Sequence, residues 1–177
     1  FERLGCKNLA HFHIKHKTEC EDPEMLEIFA KADIVMFSGG NQAKLPRYIR
    51  NTRLHDLLKH RLRKENLVIA GTSAGAMAMS EFMVAGGSAS EAFVKGAVKM
   101  RVGLSFIPKL IIDTHFVRRG RFGRLAEAVS MHPDCVGIGL AEDTGVVIKN
   151  NENFRVIGSG MCIVMDPRTI THNNHQI

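Results

Sequence analysis

No stretch of this chain approaches the ~18 uncharged apolar residues that a membrane-spanning helix requires. Its four cysteines form no CxxC pair and no other metal-ligand spacing. These absences exclude a membrane-spanning helix and a cysteine-built metal centre. No internal repeat and no Pro/Gly/Ser-rich linker divides the sequence, so a single domain is expected. The chain opens at Phe1 rather than Met, so its natural start is out of view. The missing signal-peptide pattern therefore carries little weight, and a cytoplasmic location is the default expectation. Cys6, Cys20, Cys135 and Cys162 read as reduced thiols in or near the core rather than as a disulfide framework. His11 and His13 share one face of HFHIKH but lack a third ligand, so no metal and no cofactor is expected. What is present is 177 residues, 45% hydrophobic and 24% charged, an ordinary composition for one globular core.

The net charge is +6, and it is unevenly placed. Residues 44–64 carry eight lysines and arginines against Asp56 alone, and residues 117–125 add four arginines with no acid. The rest of the chain is net acidic. Leu45, Tyr48, Ile49, Leu54, Leu57, Leu58 and Leu62 recur at mostly helical spacing. The first basic segment thus reads as one amphipathic helix opened by Pro46. Its basic side is either a solvated face or a polyanion-binding one, and nucleic acid is the partner to test. The acidic balance of the remainder counts against that partner.

Short apolar runs alternate with longer amphipathic ones. Asn8–Ile14 predicts a strand, and Asp22-Pro23 open a helix through Phe29. Ile34–Phe37 and Leu67–Ala70 predict buried strands, with Ala76–Met79 helical after the second. Glu81–Gly103, rich in Gly, Ala and Ser, predicts loops. Leu110–Phe116 and Val136–Leu140 predict strands around a helix over Gly120–Met131. Three short strands, Gly145–Lys149, Phe154–Gly158 and Cys162–Met165, close the chain. The pattern implies an α/β fold: a mainly parallel sheet with helices on both faces and an antiparallel C-terminal strand region.

Gly71-Thr72-Ser73-Ala74-Gly75 fits G-x-S-x-G between a strand and a helix, the context of a nucleophile elbow. The Ala74 amide at the helix start would stabilise an oxyanion. The same five residues also suit a phosphate-binding or merely tight turn. A serine nucleophile needs a base and a group that orients the base. His115 ends the strand Leu110–Phe116, at the carboxyl end of the sheet where Ser73 also lies. Glu142 ends the next strand and is the natural third member, with Asp143 its competitor. The order Ser, His, acid differs from the α/β-hydrolase order.

FSGGNQ (37–42), GTSAGA (71–76), DTHF-x-x-RGRFGRL (113–125) and GIGLAEDTGVVI (137–148) together resemble the cyanophycinase family, a serine peptidase group that also contains aspartyl dipeptidase. The resemblance implies a three-layer, class I glutamine-amidotransferase-like fold. It implies Ser73 as nucleophile, His115 as base then acid, and Glu142 as the orienting carboxylate. Gly40 and Asn41 would complete the oxyanion hole with Ala74. Gln42, Asp113, Thr114, Arg119, Arg121 and Arg124 would hold substrate. The implied reaction is hydrolysis of cyanophycin, a poly-aspartate with an arginine on each side chain, to β-aspartyl-arginine. The arginines, beside Asp113, suit a substrate carrying both carboxylates and guanidiniums. The alternatives are an aspartyl dipeptidase and, from another class, a polyanion-binding module using residues 44–64. A homodimer is left open, and a peptide, not nucleic acid or membrane, is the expected partner.

Two departures stand out. Members that degrade cyanophycin commonly carry glutamine between the Asp and the His, where this chain has Thr114. The family is also longer at both ends. Residues 1–177 are therefore expected to be a single catalytic domain, a piece of a longer chain without the first strand and helix of the sheet and with its C-terminal end left open. The alternative is a missing strand supplied by a partner. The gap would leave an exposed apolar face.

Overall fold

The computed structural model describes residues 1–86, 94 and 96–172. Asp22 caps α1 (Pro23–Lys31) by accepting from the Met25 N–H at 2.9 Å, with Pro23 at the first helical position. The strand expected at Asn8–Ile14 does not form. Among the described residues no neighbouring strand takes its backbone groups, and Phe12 instead packs on Phe29 of α1 with ring centroids 5.0 Å apart. Strand β1 (Ile34–Phe37) follows, and it buries Val35 and Phe37 while exposing Ile34 and Met36.

The basic segment is two helices rather than one. α2 (Lys44–Ile49) already contains Pro46 in its first turn, and the chain breaks before α3 (Arg53–Lys64). Asn51 turns left-handed at φ +58°. Thr52 then donates its hydroxyl to the Ile49 carbonyl at 2.6 Å and accepts the His55 N–H at 3.2 Å. A side chain that caps one helix while closing another competes with a continuous helix and wins here.

β2 (Val68–Gly71) pairs in parallel with β1, and α4 (Ala74–Ala78) leaves its end. The expected loop at Glu81–Gly103 instead holds an antiparallel hairpin, β3 (Phe82–Gly86) with β4 (Lys99–Val102). The apolar run Phe82–Ala85 is the strand signal that the surrounding small residues mask. The rest of that expected loop, 87–93 and 95, lies outside the described residues.

β5 (Leu110–Thr114) and β6 (Val136–Leu140) are parallel neighbours joined through α5 (Phe122–Met131). β7 (Thr144–Lys149) and β8 (Asn153–Gly158) form a hairpin, and β9 (Cys162–Met165) returns antiparallel to β6. The α/β alternation and the antiparallel ending match the sequence pattern, but the expected single, mainly parallel sheet does not. Among the described residues the strands form four sheets, β1–β2, β3–β4, β5–β6–β9 and β7–β8, with only β1–β2 and β5–β6 parallel. The larger buried cluster holds Phe37, Leu54, Leu58, Met77, Met83, Ile111, Leu125 and Val129, and a smaller one holds Ala76, Ile112, Ile138 and Leu140. Ile34 and Met36 of β1 and Val68 of β2 remain exposed on the other face of that strand pair.

Candidate active site

Four strand ends converge on the site: β1 leads into Ser38–Gln42, β2 into Ser73, β5 into His115, and β6 into Glu142. Carboxyl ends of parallel strands gather functional groups in this way because each strand hands the chain to a loop on the same edge.

Ser73 sits between β2 and α4 at φ +51°, ψ −115°, a conformation costing roughly 1–3 kcal/mol for a residue with a side chain. The flanking glycines are what let the chain turn there. A Cβ on Gly75 would lie 2.1 Å from the Phe37 carbonyl oxygen, and one on Gly71 would lie 2.6 Å from the Gly75 carbonyl carbon. The Phe37 carbonyl also accepts the Thr72 N–H at 3.0 Å, so it is not free to retreat. Gly75→Ala is accordingly expected to lower stability by about 3 kcal/mol, the upper end of ordinary overpacking. Thermal unfolding of the variant beside the parent protein checks it.

The Ser73 hydroxyl lies 3.0 Å from His115 Nε2, and His115 Nδ1 lies 3.1 Å from Glu142 Oε1. A carboxylate only accepts, so Nδ1 carries the proton that points at Glu142. Nε2 is then left to accept from the Ser73 hydroxyl. The hydrogen bond from His115 holds the Glu142 carboxyl below its usual range, and the Arg118 charge adds to this. Asp143, the competing acid, is exposed at φ +51°, and the His115 hydrogen bond goes to Glu142.

Glu142 is fixed through its own backbone. The Thr144 hydroxyl donates to the Glu142 carbonyl at 2.9 Å, and a Cβ on Gly160 would come 2.3 Å from that same oxygen. Neither Thr144 nor Gly160 was legible as a site residue, since their signal is spatial. The turn at Gly39-Gly40 stands beside the serine: a Cβ on Gly39 would lie 3.5 Å from Ser73 Cβ. Gly40 has φ +134°, where a side chain would be strained. Asn41 accepts from the Ala43 N–H at 3.0 Å, and Gln42 donates to the Val84 carbonyl at 3.4 Å. The unforeseen hairpin strand β3 therefore orients Gln42.

Behind His115, Asp113 is fully buried. Arg124, itself only 3% exposed, grips both oxygens of Asp113, with Nε donating to Oδ2 at 2.8 Å. Arg121 donates to Asp113 Oδ1 at 3.1 Å and to the Thr114 carbonyl at 2.5 Å. Burial pulls the Arg121 guanidinium below its usual range, and Asp113 opposes the shift. Arg118 and Arg119 are exposed. The Thr114 hydroxyl is buried with no hydrogen-bond partner among the described residues.

A family model described as Peptidase family S51 matches residues 1–157. The chain belongs to peptidase family S51. Among S51 relatives, a cyanophycinase of Trichormus variabilis is 36% identical over 174 residues, 98% of this chain and 58% of that protein. A cyanophycinase of Geminocystis herdmanii is 35% identical over 175 residues, 99% of this chain and 64% of that one. The chain thus spans about three-fifths of the length of these relatives. A crystal structure of a peptidase from an acI-B1 Actinobacterium superposes with a TM-score of 0.69 at 21% identity, covering 87% of this chain and 62% of that one. That likeness extends to the α/β fold. No helix among the described residues is long and apolar enough to cross a membrane.

Proposed function

We propose that the chain is the catalytic part of a serine-type exopeptidase that hydrolyses cyanophycin to β-aspartyl-arginine through an acyl-enzyme at Ser73. The observation that carries this reading is the unbroken line of hydrogen bonds from Ser73 through His115 to Glu142. Ser73 Oγ attacks the scissile carbonyl carbon while its proton passes to His115 Nε2. The Ala74 N–H at the start of α4, a first-turn donor with no partner inside its own helix, stabilises the oxyanion together with the Gly40 and Asn41 amides. The C–N bond then breaks as His115 returns the proton to the leaving amine. Water repeats the sequence on the ester and frees Ser73. Glu142, kept ionised by its hydrogen bond, holds His115 in the required tautomer and balances the imidazolium.

Gln42, Arg119 and Arg121 are the substrate contacts in this reading. Asp113, Thr114 and Arg124, also expected to hold substrate, are buried, and Asp113 with Arg124 instead positions Arg121 from behind. The three-layer glutamine-amidotransferase-like fold is the arrangement that best accommodates the two parallel strand pairs and α4 between them. Four unpaired thiols suit a reducing compartment, which supports a cytoplasmic location.

A serine-reactive fluorophosphonate tests the mechanism. It is expected to label Ser73, located by peptide mass mapping, and to stop release of β-aspartyl-arginine from cyanophycin. N-terminal Asp-X dipeptides serve as the comparison substrate: faster turnover of these than of the polymer replaces the cyanophycin reading with the dipeptidase one. Labelling elsewhere overturns the nucleophile.

A further inference from the structure

The basic segment 44–64 is not uniform once folded. Arg61 is structural: its Nη1 donates to the Phe29 and Ala32 carbonyls that end α1, at 2.8 and 2.7 Å, and its Nε pairs with Glu65. Lys44, Arg47 and Arg53 differ. All three are exposed, and none makes a side-chain ion pair or hydrogen bond among the described residues. Arg47 lies over the Tyr48 ring, 5.5 Å from its centroid. Arg50, half-buried between the helices, adds a fourth cation. The nearby acids are few. Glu21 accepts the Arg53 backbone N–H at 3.1 Å, and Asp56 stands exposed one turn into α3.

The topology places this group. α2 starts two residues after Gln42, and α3 then runs back to the opening of β2. The cations on α2 and at the head of α3 therefore sit at the carboxyl end of the β1–β2 pair, the edge that carries Ser73, whose hydroxyl meets His115. Arg63 and Lys64 sit at the opposite edge. Lys44 and Arg47, one turn apart, share a face of α2. The six residues of α2 span about 9 Å. An extended chain repeats side chains on one face every ~7 Å, so two successive carboxylates fit along the helix and a third reaches Arg53.

We propose that Lys44, Arg47 and Arg53 form a docking rim for the carboxylates of an extended substrate, beyond the residue whose bond is cut. The rim deepens the functional reading above, on which it rests for the position of the cleaved bond. It makes the substrate a long chain bearing regularly spaced free carboxylates rather than a free dipeptide. Binding through such a rim weakens with salt because exposed charges are screened within about 10 Å at 0.1 M.

The test uses Ser73→Ala, which leaves bound chains uncut, alone and combined with Lys44→Gln, Arg47→Gln and Arg53→Gln. Affinities are measured at 50 and 300 mM salt for cyanophycin, a deca-aspartate peptide, β-aspartyl-arginine and a duplex DNA of comparable length. Removing three exposed cations is expected to weaken both long chains about tenfold at low salt and to flatten their salt dependence, with the dipeptide unchanged. Unchanged affinity for the long chains, salt-independent binding, or an equal loss on the dipeptide overturns the rim. DNA binding tighter than either peptide chain overturns it in favour of a nucleic-acid face. Failure of the parent protein, with Ser73 intact, to take up the phosphonate, while the Ser73→Ala series still shows the rim's salt-dependent loss, separates the two proposals.

Discussion

Ser73→Ala is expected to reduce turnover by roughly 10⁴- to 10⁶-fold while the protein stays folded. Alanine keeps the Cβ that the elbow accommodates and removes only the oxygen. The structural loss is one hydrogen bond to His115 Nε2, about 1 kcal/mol, so thermal unfolding shifts little. The chemical loss is far larger, because the attacking atom is gone and water must react without it. His115→Ala is expected to cost about as much, and the double variant no more than either single one, since the three side chains act as a unit. Product release from cyanophycin, followed over hours, checks all three. Retained hydrolysis in Ser73→Ala refutes the assignment.

Asp113→Ala is expected to cost about 3–5 kcal/mol of stability, a large share of the ~5–15 kcal/mol that holds an ordinary domain together. Asp113 has no exposed surface and answers two guanidiniums, Arg124 and Arg121. Removing it leaves Arg124 in the interior without its carboxylate partner, and burial has already set Arg121 below its usual range. Asp113→Asn keeps the shape and one acceptor, so it is expected to fall between the two. The effect reaches function as well. Arg121 also holds the Thr114 carbonyl, and the next residue is His115. Urea midpoints read the stability, and kcat measured well below the midpoint reads the displacement of His115.

The sequence carried most of the site and rather less of its supports. Ser73, His115 and Glu142 were legible because glycine spacing and strand ends are local signals, and the fold brings those ends to one edge. Gln42 was legible as a residue, but its hydrogen bond to Val84 was not. That strand sits among small residues whose propensities suggest loop, and only its pairing with β4 reveals it. Thr52 misled in the other direction. The apolar spacing runs through it at helical period, yet its hydroxyl joins the Ile49 carbonyl and the His55 amide and divides the segment in two. Asn8–Ile14 alternates like a strand, but alternation without a neighbour to bond makes none. The pairing of Asp113 with Arg124 was foreseen only as proximity. Which acid answers which base is set by burial, and burial is a property of the assembled chain.

Ser73 and His115 both hold positive φ, so the pair that would exchange a proton also carries backbone strain. Glycine at position 73 would relax that turn at no steric cost. Natural drift toward a hardier protein and drift toward an inert one therefore point the same way at this residue. Durability in this chain has to accumulate elsewhere, in helix ends such as Thr52 or in the core beneath α3, where nothing at the reacting edge is surrendered for it.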